Sequence, residues 1–233
     1  MMTAPYRVII TGCSRGIGLE LASQYAQAGW QVMVCARDIN GAELAGLAMQ
    51  YEQVSLHQLD VSSDASIADF ASELADQPVD LLINNAGVYG TGGSDLGQLT
   101  REEWRQVLEV NTLSPLMLTQ ALLANIEAGQ LKIIAMMSSK VGSIADNGSG
   151  GSYYYRSSKT ALNQVVKSLS IDLAPRGIKV VALHPGWVKT TMGGPNALID
   201  TQQSVQGLRA VLDELNDRHS GCFYGYDGAE IPW

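Results

Sequence analysis

The apolar runs of this 233-residue chain are short, about five to seven residues each, against the ~20 that a membrane-crossing helix needs. A membrane segment is therefore not expected. The opening M-M-T-A-P-Y-R lacks the basic-then-apolar layout of a secretory leader, so the expected location is the cytoplasm. Cysteine is scarce as well. Cys13, Cys35 and Cys222 are an odd number at wide spacing with no Cys-x-x-Cys pair, which argues against both a disulfide framework and a zinc site. Cys35 falls inside an apolar run and is expected to be buried. His57, His184 and His219 have no Cys, Asp or Glu at ligand spacing, so no structural metal is expected. Positive charge is also in deficit: 15 Lys and Arg face 23 Asp and Glu, a net charge of −8 with no basic stripe. That field repels nucleic acid and anionic membranes, and a polyanionic ligand would have to be held locally. Linkers, repeats and low-complexity segments are absent too, so residues 1–233 read as one domain.

What is present is a regular alternation. Near-continuous apolar runs at 7–11, 31–36, 54–59, 79–83, 132–137, 179–183 and 222–226 read as strands. Between them lie helical patterns at 16–28, 41–51, 65–75, a long one from 101 to about 126, one carrying Lys159 to about 173, and one at about 200–216. Thr100-x-x-Glu103 reads as a capping box for the long helix. Strands written as continuous apolar runs and alternating with helices predict a doubly wound α/β domain. The expected sheet has seven strands, mainly parallel, with helices on both faces.

Thr11-Gly-Cys-Ser-Arg-Gly-Ile-Gly18 follows the first strand and opens the first helix. In that place glycines let the chain turn sharply, and the helix N-terminus offers free N–H groups to a diphosphate. The spacing Gly12, Gly16, Gly18 differs from the common G-x-G-x-x-G. The second strand ends Cys35-Ala36-Arg37-Asp38, and Arg15 lies in the glycine turn. Two guanidiniums aimed at one region suit a 2′-phosphate, which favours NADP(H). NAD(H) stays open if Asp38 takes the ribose instead. Asp60, just past the third strand, is placed to touch the adenine or to serve as an ordinary turn residue. Asn84-Asn85-Ala86-Gly87, with its small residues, allows a flat cofactor close to the backbone.

The stretch Ser138–Lys159 joins the fifth strand to the next helix, where open α/β sheets keep their active sites. Tyr155 and Lys159 are four apart, hence on one helix face. A neighbouring cation favours the phenolate and would lower the phenol from its ordinary pKa of about 10, as a general acid/base requires. Tyr153 and Tyr154 are packing neighbours or pocket lining.

These motifs, together with Asn111, Ser139 and Pro185-Gly186-x-Val188-x-Thr190, resemble the classical short-chain dehydrogenase/reductase family in type and order over most of the chain. Finer features, from Ser138-Ser139-x-x-Gly142-Ser143 through Leu183-His-Pro-Gly-Trp-Val-Lys-Thr-Thr-Met-Gly-Gly194, look like its branch of C-factor and Sniffer-like carbonyl reductases. The resemblance implies an oxidoreductase that moves hydride between NADPH and a small carbonyl or alcohol. Tyr155 would protonate the carbonyl oxygen, Lys159 would tune it and hold the ribose, Ser139 would position the substrate oxygen, and Asn111 would hold a water linking Lys159 to solvent. Cofactor contacts are implied for Gly12, Ser14, Arg15, Gly16, Ile17, Gly18, Arg37, Asp60, Val61, Asn85, Ala86, Gly87, Pro185, Gly186, Val188 and Thr190, with Val188 and Thr190 at the carboxamide. Read from the residues themselves, Tyr89, Ile144, Trp187 and Met192 would form an apolar substrate wall or equally serve as ordinary packing. A homodimer or homotetramer is also implied, through Leu113, Leu116, Leu118, Ala161, Leu162 and Leu169, which would equally bury the helices on their own sheet. A dinucleotide-binding signalling protein like C-factor is the second function class.

One departure stands out. The family's serine lies thirteen before the tyrosine, and that position is Gly142; Ser139 is sixteen before it. Ser139 is preferred because it stays at the strand end, over Ser138 on the opposite strand face and Ser143 inside the loop.

Overall fold

Alternate residues of each strand face two different helix layers, and this period of two organises the molecule. In the computed structural model, which describes residues 5–91 and 95–233, Val8, Ile10, Val32, Val34, Leu81, Ile83 and Val181 share one buried cluster. Ile9, Met33, Leu82, Ile134, Met136, Val180 and Ala182 belong to the other. The 1–4 leader reading and the middle of the 87–97 loop lie outside the described residues.

The strands are β1 Arg7–Thr11, β2 Gln31–Ala36, β3 Val54–Gln58, β4 Leu81–Asn84, β5 Ile133–Met137, β6 Lys179–His184 and β7 Phe223–Gly225. They form one sheet in the order β3-β2-β1-β4-β5-β6-β7, and every pairing between neighbours is parallel. The helices are α1 Gly16–Gln27, α2 Ala42–Gln50, α3 Asp64–Leu74, α4 Arg101–Leu108, α5 Ser114–Ala121, α6 Leu123–Ala128, α7 Tyr153–Leu173 and α8 Thr201–Asp213. The first cluster packs under α1, α2 and α8, and the second under α3, α5, α6 and α7. The strand order reverses between β1 and β4, which opens a crevice at the strand C-termini. Cys35 is buried, as its apolar run requires.

The long helix expected from 101 to 126 is broken. A π-helical turn, Glu109–Leu113, separates α4 from α5. Pro115 explains the break: it has no N–H for the Asn111 carbonyl four residues back, and its ring crowds that carbonyl. Such wide turns are frequent at functional sites. The capping box also forms only in half. Thr100 accepts from the Glu103 N–H, but the Glu103 carboxylate turns away to Thr91. The Thr100 N–H donates instead to the Tyr154 hydroxyl, so the buried Tyr154 anchors α4 to α7. Strand β4 begins at Leu81 rather than Val79, whose N–H donates to the Asn125 carbonyl; the buried Asp80 carboxylate accepts from the N–H groups of Arg7, Gln130 and Leu131.

Candidate active site

The glycine turn is shaped by contacts too close for side chains. A Cβ on Gly18 would lie 2.3 Å from the Gly12 carbonyl oxygen, and one on Gly12, which has φ +72°, 2.8 Å from the Ala86 Cα. Asn85 locks this arrangement across the β1–β4 junction, its Nδ2 donating to the carbonyls of Thr11 (2.8 Å) and Gly12 (3.2 Å). The Thr11 hydroxyl in turn accepts from the N–H groups of Asn85 and Ala86, both at 3.0 Å. Thr11 is thus a positioning residue that the motif contained without disclosing its role. Arg15, the residue before α1, makes no side-chain cap, so the first-turn N–H groups of Gly16, Ile17 and Gly18 are left for an anion. Ser14 and Arg15 are exposed at the rim. A backbone cradle that a single methyl would fill, at an uncapped helix start, fits a dinucleotide diphosphate.

The second wall comes from the segment after β6. Thr190 stands against the glycine turn: a Cβ on Gly16 would be 3.3 Å from its Cγ2. Its hydroxyl accepts from the Gly193 N–H at 3.1 Å. Val188 pairs with Ile199, Ser204 donates to the Pro185 carbonyl at 2.6 Å, and Gly186 needs its φ of +85° to pass Ile199 and Tyr226. Residues 185–190 are therefore held rigidly over the crevice.

At the adenine-side end, Arg37 and Asp60 share a polar recess of about 400 Å³ with Gln58, Ser66, Asp69, Phe70 and Glu73. Asp60 Oδ1 accepts from the Ser62 N–H and hydroxyl at 3.0 and 2.7 Å. These bonds, with a smaller contribution from Arg37, hold its carboxyl below the usual range. Val61 beside it is half-buried. Asp38 Oδ1 is engaged by the Asn40 N–H at 2.9 Å. Arg37 is exposed beside it at the end of β2.

The catalytic candidates meet at the C-terminal end of β5. The Tyr155 ring lies against Tyr89 with centroids 4.7 Å apart and planes tilted by 32°, and Tyr89 is held by the Ser152 hydroxyl at 2.9 Å. The Lys159 ammonium is 5.6 Å from the Tyr155 ring centroid and donates to the Met137 carbonyl at 2.8 Å. Ser139 stands near enough to the Tyr155 phenol to favour its ionised form. Of the alternatives, Ser138 faces away and donates to Asn163, and Ser143 is buried in its loop. Gly142, in the family's serine position, lies on α7 so tightly that a Cβ would come within 2.7 Å of the Lys159 Cβ. No side chain fits there.

Protonation differs from the expectation in one respect. Burial pushes the Tyr155 phenol up to about 12, the nearby Ser139 hydroxyl opposing it in part. Lys159 supplies none of the opposing pull. The reason is its own burial, 3% exposed, which lowers the ammonium to about 7 and weakens the cation that was to favour the phenolate. Since the unfolded lysine titrates near 10.5, the unfolded state binds the extra proton between the two values. Lys159 therefore costs stability at pH 7 and below, and that cost disappears as pH rises toward 10.5. A Lys159→Met variant is expected to gain on the wild type most at pH 7 or below and to lose that advantage by pH 10, followed by urea unfolding at each pH. A pH-independent difference would contradict the assignment.

Asn111 is fully buried and its side chain makes three hydrogen bonds. It accepts from the Val88 N–H at 2.8 Å and donates to the Val88 carbonyl at 2.8 Å and the Ser158 hydroxyl at 3.0 Å. The side chain clamps the loop after β4 to α7, and Pro115 leaves the Asn111 main-chain carbonyl without an α-helical partner. Gly87 sits between them, its Cβ position 3.3 Å from Asn111 Oδ1 and 3.6 Å from Lys159 Nζ. Among the substrate-wall candidates Tyr89 is drawn against Tyr155. Ile144, Trp187 and Met192 stand on two further loops, each at least half exposed, and Trp187 is tied to the Gly193 carbonyl at 2.7 Å. Among the described residues no group of three His, Cys, Asp or Glu side chains is placed to hold a metal, and no helix is long and apolar enough to cross a membrane.

A glycine cradle at a topological switch point, beside a phenol, a hydroxyl and a buried amine, defines a dinucleotide-binding oxidoreductase of the Rossmann type. The short chain dehydrogenase family model matches residues 6–198, and the chain belongs to that family. It is 46% identical to C-signal of Myxococcus xanthus over 164 residues, covering 70% of this chain and 98% of that protein. It is 32% identical to 1-hydroxy-2-glutathionyl-2-methyl-3-butene dehydrogenase of Rhodococcus sp. (strain AD45) over 232 residues, covering 97% and 99% of the two chains. Among solved structures, carbonyl reductase Sniffer of D. melanogaster superposes with a TM-score of 0.91 at 32% identity, covering 99% of this chain and 100% of that one. The NADPH-bound carbonyl reductase from chicken fatty liver gives the same four values.

Proposed function

We propose that this protein is an NADP(H)-dependent carbonyl reductase, its 233 residues acting as one domain on small aldehydes or ketones in the cytoplasm. The observation that carries the reading is the convergence of Ser139, Tyr155 and Lys159 beside a glycine cradle that fits a diphosphate. When bound, the nicotinamide supplies the hydride. Gly12 to Gly18 hold the diphosphate, Arg37 the 2′-phosphate, Asp60 and Val61 border the adenine, and Val188 with Thr190 hold the carboxamide. Ser139 orients the substrate oxygen, and the Tyr155 phenol gives it a proton. A phenol held up near 12 is protonated throughout the neutral range, the form that carbonyl reduction consumes. Lys159, which exchanges its proton near pH 7, returns one to the phenolate, and the Asn111 carbonyl holds the water that links it to solvent. The solved relatives crystallised with NADP or NADPH support the cofactor choice. Assembly through α5 and α7 is part of the proposal: Leu118 and Leu162 are buried in the protein's own core, whereas Leu113 is 48% exposed.

Likeness to C-signal favours one other reading, a dinucleotide-binding signalling protein in which turnover is incidental. A panel of carbonyls followed by cofactor absorbance separates the two. Oxidation of NADPH at higher kcat/KM than NADH is expected. Tight NADPH binding with no oxidation by any carbonyl would favour the signalling reading, and a preference for NADH would overturn the role of Arg37.

A further inference from the structure

The loop from Ser139 to Tyr155 is fastened at its start to α7. The Gly142 carbonyl accepts from the Thr160 hydroxyl at 2.8 Å and from Asn163 Nδ2 at 3.3 Å. Beyond Gly142 the loop leaves the helix, and its next anchor comes from the far end of the sequence. The main-chain oxygen of Trp233 accepts from the Ala145 N–H at 3.1 Å and from the Ser143 hydroxyl at 3.3 Å. The same hydroxyl accepts from the Asp146 N–H at 3.1 Å, so two bonds end on Trp233 and a third reaches it through Ser143. Trp233 is itself fixed. Its ring stacks on Phe223, with centroids 5.7 Å apart and planes 15° from parallel, and Phe223 is fully buried. The returning chain is also paired: Glu230 bridges Tyr224, and the Ile231 N–H donates to the Phe223 carbonyl at 2.7 Å. Ile144 lies between the two residues bonded to Trp233 and is 72% exposed. It is displayed by its anchored neighbours, not packed by its own contacts.

We propose that Trp233 is a positioning residue for the substrate pocket: by fixing Ser143 and Ala145 it sets where Ile144 stands relative to Ser139 and Tyr155. The consequence falls on substrate size and rests on the carbonyl reductase reading. Bulky apolar carbonyls must touch the Ile144 wall, whereas the smallest aldehydes need only Ser139 and Tyr155. Trp233 is on no catalytic atom, so its effect is on KM for large substrates and not on the proton transfer.

The test uses Trp233→Ala, Trp233→Phe and Ser143→Ala in the full chain, with two readouts. The first, hydrogen exchange at the Ala145 amide, is independent of catalysis. Losing the stacking that seats the acceptor is expected to speed that exchange roughly fivefold in Trp233→Ala, the fold-change that corresponds to one ordinary hydrogen bond. The second readout is KM and kcat with NADPH for a small aliphatic aldehyde and a bulky aromatic ketone. A rise of about fivefold in KM for the ketone alone is expected, with kcat for the aldehyde unchanged and Trp233→Phe restoring both readouts. Ser143→Ala is expected to move both in the same direction by less, and it decides the matter if Trp233→Ala does not fold. Unchanged Ala145 exchange, or an equal rise in KM for both substrates, would overturn the proposal. If the wild type oxidises NADPH with neither carbonyl, the reductase reading fails while Ala145 exchange still tests the anchor.

Discussion

Tyr155→Phe is expected to lower kcat for carbonyl reduction by about 10³-fold, within the range that a positioned general acid contributes, while NADPH binding changes little. The substitution is nearly a deletion of one oxygen. The phenylalanine ring keeps the contact with Tyr89 and its place on α7, so the loss reports the proton and not the packing. In the proposed mechanism the proton matters because hydride arriving at the carbonyl carbon leaves the oxygen with a full negative charge, which the phenol's proton neutralises. Ser139→Ala is expected to cost less, because it removes orientation and leaves the acid in place. Single-turnover rates of NADPH oxidation, with NADPH affinity measured separately, provide the check. A Tyr155→Phe enzyme with near-normal turnover would remove the phenol from the mechanism.

Gly142→Ser restores the hydroxyl at the family's usual spacing, and the expected result is loss. The new Cβ would meet the Lys159 Cβ at 2.7 Å, the Lys159 carbonyl carbon at 2.8 Å and the Thr160 N at 3.1 Å. Two of these are backbone atoms in the middle of a helix of 21 residues, which cannot move aside as a flexible side chain does. Overpacking of this kind costs about 1–3 kcal/mol, and here the displaced neighbour is Lys159. Both the unfolding midpoint and kcat are therefore expected to fall. A stable, more active Gly142→Ser enzyme would show that the loop admits the serine and that Ser139 had been misplaced.

The sheet was legible because a strand buried on both faces must be written as a continuous apolar run, and β1 and β2 have the bounds that their sequences imply. The Tyr155–Lys159 pair was legible for a related reason: it depends on neighbours within one turn of chain. What escaped depends on partners far away. Thr100-x-x-Glu103 has the right composition for a reciprocal cap, but Thr91 offers the Glu103 carboxylate a better donor and Tyr154 takes the Thr100 N–H. The π turn was hidden behind an otherwise good helical pattern, although Pro115 four residues after Asn111 was its visible cause. The direction of the phenol's shift was missed for want of burial. Spacing shows that a cation is near but not that desolvation discharges it.

The bond between Asn85 and Thr11 spans 74 residues and joins the two halves of the sheet at the place where the diphosphate cradle lies. The cradle is therefore absent from either half alone, and it comes into being only when β4 has found β1. A newly made chain must close that long loop without local reward, the slow step expected of distant parallel pairings. A dinucleotide that recognises only the closed junction would act as a selective trap for finished molecules, drawing the population toward the native state by mass action. In the cell, the supply of cofactor would then govern how much of this protein survives as well as how fast it works.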